Sequence, residues 1–345
     1  MKHKLQPFYL LGFICPLLIS CSLGAKIKLD KNNLVLKPGE SYKFNIKNAS
    51  DSLNLSYSIA GIININSENA SITALKEGRT KFIATEEADN TDECEIVVRY
   101  DRIRPIDPLN IATIAHKGYH VDEIENTLGA FSAAGQRNFY GIETDIYLTK
   151  DNHWICNHDP KIKGMTKNIS ESTLNEILEI NLSDNESRIV RVCQFEDYIN
   201  VCSAYNKHPV IEFKEDVNTT HLEELLSILK TYNVVNECIF ISKVSSVLGT
   251  MYNLKEKYHY QYDLQMLTEG SGWQYVPEII NVSSQYDGIN QSMIEDCKSV
   301  GQYVAAWTVN DRETAENLIR LGVKFITTDI FECTDQFVEN ELFGI

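Results

Sequence analysis

Eight short apolar runs, separated by amphipathic helix-like stretches, occupy residues 111–115, 141–148, 210–213, 238–242, 262–267, 288–290, 304–308 and 325–328. Strands alternating with helices build a parallel sheet, and eight such units close into a barrel. The pattern therefore predicts an α/β fold, a (β/α)8 TIM barrel filling residues 104–345. A further run at 154–156 suits a hairpin with the second strand, turning at Asp151-Asn152.

The chain before the barrel has a different grain. Between residues 25 and 100 it is rich in Asn, Ser, Ile and Val, with alternation such as Tyr42-Lys43-Phe44-Asn45-Ile46 and turn signals such as Lys37-Pro38-Gly39-Glu40. Short alternating strands with frequent turns predict a small all-β sandwich over residues 21–103. The stretch Leu75-Lys76-Glu77-Gly78-Arg79-Thr80, running into Lys81-Phe82-Ile83-Ala84-Thr85, resembles a bacterial Ig-like module. With no titratable cluster of its own, it reads as a spacer or an envelope contact. Pro105 and Pro108 place the linker at 102–108.

Lys2 and Lys4 precede an apolar run from 5 to 19 that is short for a bilayer span, the layout of a secretory leader over residues 1–20. The leader ends in Leu18-Ile19-Ser20-Cys21, which resembles a bacterial lipobox and implies lipidation of Cys21 and a place in the cell envelope, outside the cytoplasm. Setting Cys15 and Cys21 aside leaves Cys94, Cys156, Cys193, Cys202, Cys238, Cys297 and Cys333, an odd set without zinc or disulfide spacing. They read as small buried hydrophobes. A formal charge of −16 excludes sequence-independent binding to nucleic acid and requires local cations wherever a phosphate is handled.

In a parallel barrel the C-terminal strand ends share one mouth, so polar residues that end apolar runs are the candidates for chemistry. The first run ends in His116-Lys117-Gly118, the second carries Glu143-Thr144-Asp145, the hairpin ends in His158-Asp159, and the next strand gives Glu212-Phe213-Lys214. Strand geometry puts Glu143 with Asp145 on one face, and Glu212 with Lys214 on one face. Three crowded carboxylates repel one another unless a cation lies between them, and hard oxygen ligands favour Ca²⁺ or Mg²⁺ over zinc. Such an ion suits phosphoryl chemistry, with the lysines adding fixed positive charge. His116 and His158 can divide the work of acid and base between them.

The ordered series His116-Lys117-Gly118, Glu125-Asn126-Thr127-Leu128, Glu143-Thr144-Asp145, His158-Asp159, Glu212-Phe213-Lys214, Trp307-Thr308-Val309-Asn310 and Thr328-Asp329 resembles the glycerophosphodiester phosphodiesterase family. The resemblance implies hydrolysis of a small glycerophosphodiester to glycerol 3-phosphate and an alcohol. It also implies His116 and His158 as acid/base pair, Glu143, Asp145 and Glu212 as metal ligands, and Lys214 at the phosphate. Glu125 and Asn126 would stand beside the first histidine, with helix capping as an equal role for Asn126; Trp307 would line the pocket or pack in the core. Lys117 departs from the family, which usually has arginine there; a point charge replaces a bidentate fork at the phosphate. A related envelope phosphodiesterase with another headgroup, and a non-catalytic ligand-binding lipoprotein, are the competing functions.

Overall fold

The computed structural model describes residues 26–86, 90–100, 112–185 and 187–330. The leader, Cys21, Cys333 and the proline-marked linker lie outside the described residues.

Among the described residues, seven strands precede the barrel: β1 (Asn33–Leu36), β2 (Ser41–Lys43), β3 (Asn54–Tyr57), β4 (Ile63–Asn66), β5 (Ser71–Ala74), β6 (Gly78–Thr85) and β7 (Thr91–Val98). They form a four-stranded sheet, β1-β7-β6-β3, and a three-stranded sheet, β2-β5-β4. Alternation in β6 and β7 turns Phe82, Ala84, Cys94, Ile96 and Val98 inward, onto a core shared with Ile63, Ile72 and Phe44. Phe44 stacks on Phe82 with ring centroids 4.2 Å apart. Cys94 is a buried strand residue, and burial first, then nearby carboxylates, pushes its thiol up to about 11.

Eight parallel strands then close a barrel: β8 (Ala112–Ala115), β9 (Gly141–Leu148), β12 (His208–Phe213), β13 (Ile239–Ser242), β14 (Asp263–Thr268), β15 (Asn281–Gln285), β16 (Val304–Trp307) and β17 (Phe325–Thr328). Strand β9 outruns its barrel neighbours, and its far end pairs antiparallel with β10 (Trp154–Cys156), which in turn pairs with β11 (Cys193–Gln194). Outside stand α1 (Leu128–Gly135), the short α2 (Leu174–Leu178), α3 (Phe195–Tyr205), α4 (Thr219–Thr231), α5 (Ser245–Tyr258), α6 (Gln291–Ser299) and α7 (Arg312–Leu321). Ile114, Val210, Ile239, Ala305 and Phe325 fill the barrel interior, and the cavity lies beyond them, toward the strands' C-terminal ends.

One strand lies elsewhere than the sequence pattern suggests. Residues 286–288 form a single 3₁₀ turn, and Asn290 caps α6 by accepting from the Met293 N–H at 3.1 Å; the sixth barrel strand is β15, seven residues upstream of the expected start. β15 has one aliphatic residue, Val282, and buries Ser283 and Ser284, so it presents no apolar run to read.

The all-β portion is packed onto α3. Lys76 pairs with Asp197, the Tyr205 hydroxyl donates to the buried Glu77 carboxylate, and Arg79 donates to Asn206 Oδ1 at 2.8 Å. Between them Gly78, at φ +154°, lies so close that a Cβ would fall 2.4 Å from Ile62 Cδ1 and 2.9 Å from Asn200 Oδ1.

Candidate active site

The first loop is built by backbone geometry. Lys117 (φ +53°) and Gly118 (φ +79°) turn the chain sharply after β8, and a Cβ at Gly118 would sit 2.7 Å from the Ala130 carbonyl carbon. This turn aims the Lys117 N–H at Glu143 Oε2, 2.7 Å away, and sends the Lys117 ammonium toward Glu125, 3.3 Å from both carboxylate oxygens. Asn126, also left-handed at φ +55°, is 4% exposed. Its amide donates to Asp145 Oδ2 at 2.9 Å and accepts from the Thr144 hydroxyl at 2.8 Å.

Glu143 and Asp145 rise from β9 and Glu212 from the adjacent β12, where Glu212 is register partner of Asp145. One oxygen from each carboxylate lies within 4.8 Å of the others. Burial above all, then the charges of Asp145 and Glu212, pushes Glu143 well above the usual carboxylate range. Burial and Asp145 likewise raise Glu212, against the pull of Lys214. The Lys214 ammonium sits 2.9 Å from Glu212 and 3.2 Å from Asp145; burial opposes its charge, but those two carboxylates outweigh burial and raise its pKa. Such a set of convergent, desolvated oxygens could hold a divalent metal ion.

His116 and His158 reach the same cavity from two sides. His116 Nδ1 lies 2.7 Å from Asp329 Oδ1, just past β17, and among the described residues Nε2 has no hydrogen-bond partner. Asn310 donates to the other Asp329 oxygen at 2.5 Å, and His120 Nε2 is 3.6 Å from Oδ1. Burial alone would raise Asp329, but the bonds from His116 and Asn310 hold its carboxyl below the usual range. His158, half-exposed at the hairpin end, is 2.9 Å from Asp159 through Nδ1. The preceding Asn157 N–H is tied to the Asp145 carbonyl at 3.0 Å, which fixes the hairpin end beside the carboxylates.

These side chains line a cavity of about 190 Å³, whose opposite wall is Ile241, Leu267, Ser283 and Trp307. The Trp307 indole N–H donates to the Ser283 carbonyl at 3.0 Å and holds the ring in place. Of the residues singled out from sequence, His116, Glu143, Asp145, His158, Glu212, Lys214 and Trp307 come together here. Lys117, Glu125 and Asn126 do not line this cavity: the left-handed turn diverts the lysine to Glu125, and the Asn126 amide is spent on Asp145 and Thr144. Helix capping at α1 falls to Thr127, which accepts from the Ala130 N–H at 3.5 Å.

Four participants escape the sequence reading. Asp329 and Asn310 lie in its closing motifs but carry no assigned role there, and His120, which belongs to none of those motifs, stands beside His116. Lys243 lines the cavity just past β13, the same place in its strand that marks Lys214 in β12.

Comparison with known proteins agrees with this geometry. The model of the glycerophosphoryl diester phosphodiesterase family matches residues 116–332. A glycerophosphodiester phosphodiesterase of Caldanaerobacter subterraneus is 28% identical over 238 residues, which span 63% of this chain and 93% of that protein. The crystal structure of a glycerophosphodiester phosphodiesterase from Parabacteroides distasonis superposes with a TM-score of 0.55 at 25% identity, over 64% of this chain and 93% of the other. An Oleispira antarctica phosphodiesterase, solved with its product sn-glycerol-3-phosphate, shares the fold at a TM-score of 0.59 and 20% identity, over 66% and 96% of the two chains. With the family model covering most of the barrel and relatives matched over nearly their whole length, the chain belongs to the glycerophosphoryl diester phosphodiesterase family and is a phosphoric diester hydrolase.

Proposed function

We propose that the barrel hydrolyses glycerophosphodiesters to glycerol 3-phosphate and an alcohol, using Ca²⁺ or Mg²⁺ held by Glu143, Asp145 and Glu212 and the histidines His116 and His158 as acid and base. The observation that carries this reading is the carboxylate triad, gathered within 4.8 Å on the same cavity as both imidazoles. Buried oxygens that raise one another's pKa are relieved by a hard divalent cation. When bound, such an ion supplies electrostatic stabilisation to phosphoryl oxygens as charge grows on them.

The protein's own groups do the rest. Lys214 offers a fixed positive charge to the phosphate from beside the triad. With Asp329 accepting from Nδ1, His116 presents Nε2 to take a proton from the attacking oxygen or give one to the departing one. His158, oriented through Nδ1 by Asp159, performs the complementary transfer. The Trp307 wall shields one side of the substrate from water.

Purified protein incubated with Ca²⁺ or Mg²⁺ and a panel of glycerophosphodiesters tests the reading through release of glycerol 3-phosphate. Chelator abolishes product, and His116→Ala or His158→Ala lowers kcat by about 10²–10⁴ without unfolding the domain. Full turnover in either variant refutes the acid/base assignment. For the remainder of the chain, we propose an Ig-like module contacting the envelope, with lipidated Cys21 as membrane anchor. Fatty-acid labelling lost in Cys21→Ser supports the anchor, and a wild-type chain that takes up no label refutes it.

A further inference from the structure

The cavity has two unlike halves. One side is the charged half already described. The other is formed by Ile241, Leu267 and the fixed Trp307 ring, strand-end residues that meet whichever part of the substrate extends away from the phosphate. An indole face at a cavity wall is a natural perch for a cation, above all a quaternary ammonium group. In this chain that perch is taken. The Lys243 ammonium lies 5.4 Å from the Trp307 ring centroid, and Glu269, just past β14, holds it at 2.5 Å.

We propose that Lys243 is a specificity-determining residue: it excludes cationic alcohols from the Trp307 wall, and directs the site toward glycerophosphodiesters whose alcohol is neutral or anionic. The inference rests on the hydrolytic reading above and narrows its substrate class. A choline or ethanolamine group laid on the wall meets a like charge on the very ring that would otherwise attract it. The ring cannot swing away, because its N–H is bonded to the Ser283 carbonyl at 3.0 Å.

An anionic or hydroxylated group meets the opposite situation. Side-chain exposure is 56% for Lys243 and 58% for Glu269, and so exposed an ion pair is weak and exchanges partners readily. A substrate phosphate or hydroxyl can therefore take the lysine from Glu269 at little cost. Glu269 does not turn the wall into a cation site while its charge is matched by Lys243. Removing the lysine alone would do so, leaving an aromatic face beside an unmatched carboxylate.

The test compares kcat/KM for glycerophosphocholine, for glycerophosphoglycerol and for a glycerophosphodiester whose alcohol bears a second phosphate. Wild type is expected to favour the last two. Lys243→Met, which keeps the apolar stem, is expected to raise the choline-to-glycerol ratio about tenfold. Lys243→Arg retains the wild-type ratio, because the charge stays over the ring. Reading a ratio of two substrates in one variant cancels any general loss of folding or turnover. Wild type that turns over none of the three sinks the hydrolytic reading itself. Wild type that turns them over but prefers choline, or a ratio unmoved in Lys243→Met, overturns the role of Lys243 alone.

Discussion

Replacing Asn126 with glycine would separate the support of the carboxylate triad from the triad itself. Glycine adopts φ +55° without strain, so Asn126→Gly deletes the amide and leaves the backbone path intact. What disappears is a donor at 2.9 Å from Asp145 Oδ2 and an acceptor for the Thr144 hydroxyl at 2.8 Å and the Asp145 N–H at 3.3 Å. Asp145 and Thr144 are both buried, and Thr144 keeps only a long alternative, the Asp145 carbonyl at 3.4 Å. Each buried polar group stripped of its partner costs about 1–3 kcal/mol, and because Thr144 keeps that long contact and Asp145 keeps Lys214 at 3.2 Å, the loss of stability falls toward the lower end of the sum, at about 2–4 kcal/mol. For a domain of this size that lowers Tm by about 5–15 °C. Asp145 also becomes free to swing, and loss of such a supporting bond typically weakens a metal site by about 10–100-fold. Thermal melts across a Ca²⁺ or Mg²⁺ titration read both effects at once: Tm without added cation gives the stability loss, and the concentration at which Tm begins to climb should move up by about one to two decades. A lowered Tm with an unmoved cation midpoint would confine Asn126 to packing. No change in either would refute the hydrogen-bond account of this loop.

Three further outcomes follow from the same geometry. Lys214→Met keeps the stem but removes the charge facing Glu212 and Asp145, and should lower kcat/KM by about 10–100-fold, measured by initial rates; a change below twofold would mean that Lys214 does not meet the phosphate. Asp329→Asn should lower kcat by about 10²–10⁴ through misorientation of His116, while the cation-induced rise in Tm stays at its wild-type size, and a parallel loss of that rise would point to general disruption instead. Glu77, raised by burial despite the Tyr205 and Ser132 hydrogen bonds, binds its proton more tightly folded than unfolded. Its contribution to stability is therefore complete below the unfolded carboxylate pKa, about 4.3, and is lost as pH rises through its higher folded value. Tm against pH should fall less steeply over that window in Glu77→Gln than in wild type, and identical slopes would show that the carboxylate is not desolvated at this contact.

How far the sequence speaks depends on whether a feature is local. The last barrel strand announces itself because aromatic and β-branched residues fill it from end to end, and the second because Ile142, Thr144, Ile146, Tyr147 and Leu148 run through it around Glu143 and Asp145; the structure starts and stops both at the expected residues, Gly141–Leu148 and Phe325–Thr328. β15 stays silent for the converse reason: small hydroxyl side chains take two of its three buried positions, and the lone Val282 in Asn281–Gln285 does not distinguish a barrel strand from a polar loop. Within the site, the carboxylate pair on β9 is legible because period-two geometry forces Glu143 and Asp145 onto one side. The bond between His116 and Asp329 spans 213 residues and exists only because β17 closes onto β8, so residue spacing carries no trace of it. Lys117 shows the remaining limit. Its residue type predicts a positive charge at the phosphate, but its direction is set by a left-handed backbone that Gly118 and the Asn126 N–H bond to the Lys117 carbonyl hold in place. Lys117→Arg leaves Gly118 and the Asn126 bond in place, so the guanidinium is expected to start from the same turn and meet the same Glu125. The loop from 116 to 126, more than the identity of the cation within it, therefore decides whether that charge reaches the substrate.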